Sequence, residues 1–189
     1  KVLKNSSLSL IDGKKVKLLE KTVSKIFGKK YGLMVNSGSS ANLLALSSFN
    51  FKRGSEIITP NLTFSTTVAP IYQLGLIPHF IGVEKNKFVA NPEHIEKCIN
   101  KKTVALMIPN LLGNIADWKK INKIAKKYKL KIIEDCAQAQ GAKYDNKFVG
   151  TFGTFGCFSF YPTKILGAYG DGGFIFTQSY ELYKKIKRI

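Results

Sequence analysis

The chain has 189 residues, 44% of them apolar and 22% charged, which suits one globular domain able to bury a core without disulfides or metals. Its net charge of +18 invites a nucleic-acid reading, but arginine occurs only at Arg53 and Arg188. The remaining charge is lysine spread along helix-like faces such as Lys119, Lys120, Lys123, Lys126 and Lys127, which reads as solvated surface rather than a basic arm; an anionic small substrate also suits such a surface. The three cysteines, Cys98, Cys136 and Cys157, have no paired spacing, so they read as inert thiols of a reducing cytoplasm and not as a disulfide framework or a zinc site. No apolar run is long enough to cross a bilayer, and residues Lys1 to Leu10 lack the pattern of a secretory signal. The first residue is not Met and Lys184 to Ile189 stop inside a helix-like pattern, so the chain reads as a piece of a longer polypeptide.

Helical and strand periodicities alternate along the chain. Val16, Leu19, Val23, Ile26 and Phe27 predict an amphipathic helix near 14–29, and Leu33 to Val35 a short strand. The small-residue loop Asn36-Ser37-Gly38-Ser39-Ser40 follows, then a helix carrying Ala41, Leu43, Leu44, Ala45 and Leu46. Glu56 to Thr59 predicts a strand stopped by Pro60, residues 65–74 a helix, and Ile77 to Val83 a strand. Pro92 marks a helix start, Val104 to Ile108 is a buried-type strand, and Asp117 caps a helix from Trp118 to Tyr128. Leu130 to Ile133 is another buried strand ending at Glu134-Asp135. Residues 142–153 read as a hairpin or loop, Phe158 to Tyr161 and Phe174 to Thr177 as strands, and a last helix starts near Tyr180. This alternation implies an α/β fold: a mostly parallel sheet covered by helices on both faces, with ligands beyond the carboxyl ends of its strands.

Four groups of residues stand just after strands. Ser37-Gly38-Ser39-Ser40 offers hydroxyls and the free amides of a helix N-terminus, a phosphate cradle or simply a capped helix start; it lacks the lysine of a P-loop. Asp135 can pair with a protonated ring nitrogen or cap the next turn, and strand alternation turns Glu134 to the other side. Lys164, in Ser159-Phe160-Tyr161-Pro162-Thr163-Lys164, has no charged neighbour before Asp171, and a partly desolvated lysine is a nucleophile toward carbonyls. Phe64, just beyond Pro60, can stack on a flat ring or belong to the core. His79 and His94 have no partners at metal or triad spacing and are read as structural.

Together these segments resemble the DegT/DnrJ/StrS family of pyridoxal-phosphate sugar aminotransferases. The resemblance runs in order through Asn36 to Leu46, Ile58 to Thr67, Ile133 to Ala139 and Ser159 to Gly173. It implies the fold type I large domain of pyridoxal-phosphate enzymes, a three-layer αβα arrangement, over residues 31–189, preceded by an N-terminal helical segment over 1–30, with a smaller C-terminal domain outside this chain. It also implies that Lys164 forms the Schiff base with pyridoxal 5'-phosphate and that Asp135 pairs with the ring nitrogen. Gln138 would contact the phenolic oxygen, Phe64 would stack on the ring, and Ser39, Ser40 and Ser159 would bind the phosphate. The family's substrates are an amino donor, here expected to be glutamate, and a keto sugar, nucleotide-linked; its active sites are shared across a homodimer. A sugar 3-dehydratase on the same scaffold is the nearest alternative, and in that branch a histidine stands where Lys164 stands. A non-catalytic or regulatory homologue is a second alternative, and a nucleic-acid-binding domain a third.

Overall fold

The computed structural model describes residues 13–189; the N-terminal stretch read above for a secretory signal lies outside them. Helix α1 (Lys14–Ile26) leads into β1 (Tyr31–Val35) and α2 (Gly38–Ser47). Then come β2 (Glu56–Pro60), α3 (Ser65–Gln73), β3 (Ile77–Ile81), α4 (Pro92–Cys98) and β4 (Thr103–Pro109). After a short 3-10 turn follow α5 (Trp118–Tyr128) and β5 (Lys131–Asp135), and the small hairpin β6 (Lys143–Tyr144) and β7 (Lys147–Phe148). The chain ends with β8 (Phe155–Ser159), β9 (Gly173–Thr177) and α6 (Tyr180–Arg188).

Seven strands form one sheet in the order β1-β9-β8-β5-β4-β2-β3. From β8 to β3 every pairing is parallel, and β9 runs antiparallel to both of its neighbours. The α/β class and the mostly parallel sheet expected from the alternation are therefore present. Successive strand residues supply opposite faces, as the two-residue repeat of a strand requires. Ile57, Met107 and Ile133 pack with Ala41, Leu46, Ile71 and Ile186 on one side. Ile58, Leu106 and Ile132 pack with Trp118, Ile121 and Ile95 on the other, which makes three layers. Phe158, Phe174 and Phe176 extend that second side toward Val23 and Phe27 of α1.

Helix starts follow their caps. Ser37 Oγ accepts the Ser40 amide, Asn91 Oδ1 the Glu93 amide, Asp117 Oδ1 the Lys120 amide and Ser179 Oγ the Leu182 amide. The lysines of α5 named above are all exposed, as a solvated face requires. One strand departs from the expectation by three residues. Phe158 to Tyr161 suggested the strand, but β8 spans Phe155–Ser159, because Gly156 and Cys157 pair with β9 and the chain leaves the sheet after Ser159.

Cys136 and Cys157 are buried and burial pushes both thiols well above their usual range, so they are inert as read; all three cysteines are free. His79, in the middle of β3, sits 3.2 Å from Glu56 at the amino end of β2, neither lines the hollow described below, and no cluster suited to a metal occurs among the described residues.

Candidate active site

The carboxyl ends of β5 and β8, the N-terminus of α2 and the start of α3 enclose one hollow. Its larger lobe, about 510 Å³, is lined by Ser39, Asn42, Phe64, Asp135, Ser159 and Lys164, among others. A smaller lobe shares Phe64, Asp135 and Lys164 and adds Gln138 and Asn110. Six of the seven residues singled out in the sequence therefore line one cavity. The seventh, Ser40, is one step behind: its Oγ accepts from the hydroxyl of Ser37, which does line the cavity, at 3.1 Å.

The N-terminus of α2 is built for an anion. Gly38 and Ser39 stand in the first turn, where amides have no carbonyl within the helix to bond. The turn is pressed onto the sheet ends: a Cβ at Gly38 would lie 2.7 Å from the Ser159 Cβ, and one at Gly173 would collide with the Ser37 carbonyl carbon. Only glycine lets α2 approach closely enough for Ser39 and Ser159 to face the same space.

Asp135 ends β5 and is 7% exposed. Its Oδ2 accepts from Asn42 Nδ2 and from Thr67 Oγ1, both at 2.8 Å, and its Oδ1 accepts from the Ala137 amide at 3.1 Å. Gln138 holds its side chain by donating nothing: its Oε1 accepts the Leu112 amide at 2.8 Å, which leaves Nε2 as a donor at the cavity wall. Phe64 is exposed at the N-cap of α3, so its ring is a platform at the cavity and no part of the core.

Lys164 lies on the loop between β8 and β9, half-buried, with its amide bonded to the Tyr161 carbonyl at 2.8 Å. Sequence reasoning passed over the residue that clamps this loop. The Gln140 side-chain amide accepts the Leu166 amide at 2.6 Å and donates to the Leu166 carbonyl at 3.2 Å and the Ser159 carbonyl at 2.5 Å. Asn42 and Thr67 were passed over as well. Each lies in a helix, and only contacts reaching across the fold reveal its partner.

Lys164 and Asp135 line the same hollow, and among the described residues they form no ion pair with each other. A primary amine, an aromatic platform, a buried carboxylate and an anion cradle around one cavity define a three-layer α/β domain equipped to hold a flat, phosphorylated, carbonyl-bearing ring. The chain belongs to the DegT/DnrJ/EryC1/StrS aminotransferase family, whose model matches residues 1–189. It is 40% identical over 183 residues to a pleiotropic regulatory protein of Geobacillus stearothermophilus, covering 97% of this chain and 49% of that one. It is 38% identical over 187 residues to a UDP-N-acetyl-3-dehydro-alpha-D-glucosamine 3-aminotransferase of Acidithiobacillus ferrooxidans, covering 99% and 50%. Among solved structures, GDP-4-keto-6-deoxy-D-mannose-3-dehydratase of E. coli with bound hydrated PLP superposes with a TM-score of 0.90 at 35% identity, over 96% of this chain and 48% of that one. The chain spans about half the length of the curated relatives it matches.

Proposed function

We propose that the protein is an aminotransferase that uses pyridoxal 5'-phosphate to move an amino group from an amino acid, glutamate, onto a keto sugar carried by a nucleotide. The observation that supports this most directly is the cavity shared by Lys164 and Asp135, with Phe64, Ser39, Ser159 and Gln138 on its wall. The donor set fits the cofactor group by group: an amine for the aldehyde, a carboxylate for the ring nitrogen, a helix N-terminus with serines for the phosphate, an amide N–H for the phenolic oxygen and an aromatic ring for the face. When bound, pyridoxal phosphate supplies an aldehyde for condensation with amines and a ring that takes up the electron pair of a breaking Cα–H bond.

The protein's own groups do the rest. Lys164 contributes the amine that anchors the aldehyde, and as a free base it is the group able to take the proton from the donor Cα. Asp135 would pair with the ring nitrogen and favour its protonated form, because opposite charges in a buried site stabilise each other. Phe64 would cover the ring and keep water from that face. Ser39 and Ser159, with the first amides of α2, would hold the phosphate and so fix the ring's orientation, and Ser40 would act from behind them through the Ser37 hydroxyl.

The 3-dehydratase branch uses the same scaffold. The lysine at 164 favours amino transfer over it, since dehydration requires a cofactor that does not stay tethered. We further infer a homodimer in the cytoplasm. Phe64 and Tyr161 on the cavity wall, and Ile165, Leu166 and Tyr169 on the loop that carries Lys164, are exposed, an apolar surface that a second subunit would cover. No helix of the described residues is long and apolar enough to cross a membrane, and the free thiols suit a reducing compartment. We assign the cofactor-binding large domain to residues 31–189 and, before it, an N-terminal segment over 1–30 that holds α1; residues 1–12 of that segment lie outside the described residues.

The test uses the full-length protein with pyridoxal phosphate. Borohydride reduction followed by peptide mass spectrometry is expected to place the pyridoxyl group on Lys164. Incubation with glutamate and a panel of nucleotide-linked keto sugars is expected to yield an amino sugar. A protein that takes up no reducible cofactor at Lys164 would overturn the reading. One that takes it up but turns over no donor would be the regulatory homologue instead.

A further inference from the structure

We infer that Asn42 and Thr67 are positioning residues that fix the Asp135 carboxylate in one orientation, so that the charge on the ring nitrogen is governed from α2 and α3 as well as from β5. The inference rests on the reading of the cavity as a pyridoxal-phosphate site.

The geometry assigns each hydrogen. A carboxylate only accepts, and its two oxygens take about four hydrogen bonds between them. Asn42 Nδ2 and Thr67 Oγ1 both donate to Oδ2, and the Ala137 amide donates to Oδ1. That leaves Oδ1 with the room for a cationic N–H donor from the cavity. Thr67 is itself oriented, because its Oγ1 lies 2.9 Å from the hydroxyl of Thr63; accepting there leaves its own hydrogen for Asp135. The Asn42 amide is oriented by a gap in α3. Pro70 has no N–H, so the Thr66 carbonyl four residues earlier lacks its helical donor, and Asn42 Nδ2 approaches it at 3.5 Å. Both acceptors thus face the NH₂ end of Asn42. Asn42 is 2% and Thr67 1% exposed, so both donors are held away from bulk water.

The arrangement also joins two parts of the site. Thr63, Phe64 and Thr67 belong to one turn, so the segment that carries the ring platform also carries the donor on Asp135.

Thr67→Val removes the hydroxyl while keeping the branched shape, and Thr67→Ser restores it. The full-length protein would be loaded with pyridoxal phosphate labelled with ¹⁵N in the ring. In Thr67→Val, borohydride still labels Lys164, but the ring ¹⁵N resonance moves toward the unprotonated position. The rate of the glutamate half-reaction falls roughly ten- to a hundredfold, while KM for glutamate stays within about twofold. Thr67→Ser returns both readings toward wild type. Should Thr67→Val not fold, Asn42→Ala carries the same two readings, since it removes the other donor on Oδ2. A variant that binds the cofactor with the wild-type resonance and rate overturns the inference and leaves the cofactor reading standing. A wild-type protein with no adduct on Lys164 overturns both.

Discussion

Glu134 and Asp135 are neighbours in β5, and their carboxylates serve opposite faces of the sheet. Asp135 turns to α2 and α3 and takes hydrogen bonds from Asn42 and Thr67. Glu134, fully buried, turns to the other face, where its two oxygens accept the backbone amides of Gly150 and Gly153 beside Lys29. One carboxylate works in the cavity, and the other ties down the loop that leads into β8.

Burial pushes the Glu134 carboxyl up to about 7, against the pull of the glycine amides and of Lys29. The folded state therefore binds this proton more tightly than the unfolded chain does. Its contribution to stability is full below the ordinary glutamate value and is lost as pH rises through about 7, a change of about 3 kcal/mol. Glu134→Gln removes that slope. It also costs roughly 1–3 kcal/mol of its own, because the new NH₂ group must face a backbone N–H. Urea melts of both proteins at pH 5, 6, 7 and 8 check the prediction: the wild-type advantage over the variant shrinks steadily with rising pH. A constant difference would show that Glu134 does not titrate in this range.

Lys164→Ala abolishes the borohydride-reducible adduct and lowers transamination by more than about a thousandfold. Mass spectrometry of the reduced protein and single-turnover kinetics with glutamate measure the two effects. An undiminished adduct would move the anchoring amine to another of the chain's many lysines.

Asp135→Asn keeps the cavity shape, and the protein still binds pyridoxal phosphate. Proton abstraction from glutamate slows by a factor on the order of 10²–10⁴, since a neutral amide cannot favour the charged ring nitrogen. Stopped-flow spectra of the half-reaction report the change, and a near-normal rate would remove Asp135 from the chemistry.

Gln140→Leu releases both backbone groups of Leu166 and the Ser159 carbonyl at once. The expected loss is roughly 1–3 kcal/mol in stability and about tenfold in cofactor affinity, because the loop bearing Lys164 is no longer clamped. Thermal melts of the apoprotein and titration with pyridoxal phosphate separate the two. An unchanged affinity would mean that β8 and β9 hold the loop by themselves.

Most of the fold can be read in the residues, because period and punctuation are local. The strands Ile57-Ile58, Leu106-Met107 and Ile132-Ile133 announce themselves as apolar runs, and Asp117 and Ser37 mark helix starts by their side chains. The exception is β8, where the aromatic run through Phe160 and Tyr161 outweighed Gly156 and Cys157. In the sheet, pairing with β9 decides the matter. The site divides the same way. Lys164, Asp135, Phe64 and the serines stand at or just past strand ends, where any α/β sheet puts its ligand. Asn42 and Thr67 lie inside helices and Gln140 in a turn. Their partners sit far along the chain or on backbone atoms, so no local pattern reveals them.

The position of β9 has a consequence for how the chain comes off the ribosome. Strand β1 precedes every other strand of its sheet, yet its sheet neighbour is β9, which follows all the others in chain order and fills the place between β1 and β8. Until translation reaches Gly173, Tyr31–Val35 has an unsatisfied edge and the cradle behind it has nothing to lean on. The nascent chain is thus expected to need protection of that edge until β9 has been made, with cofactor capture deferred to that point.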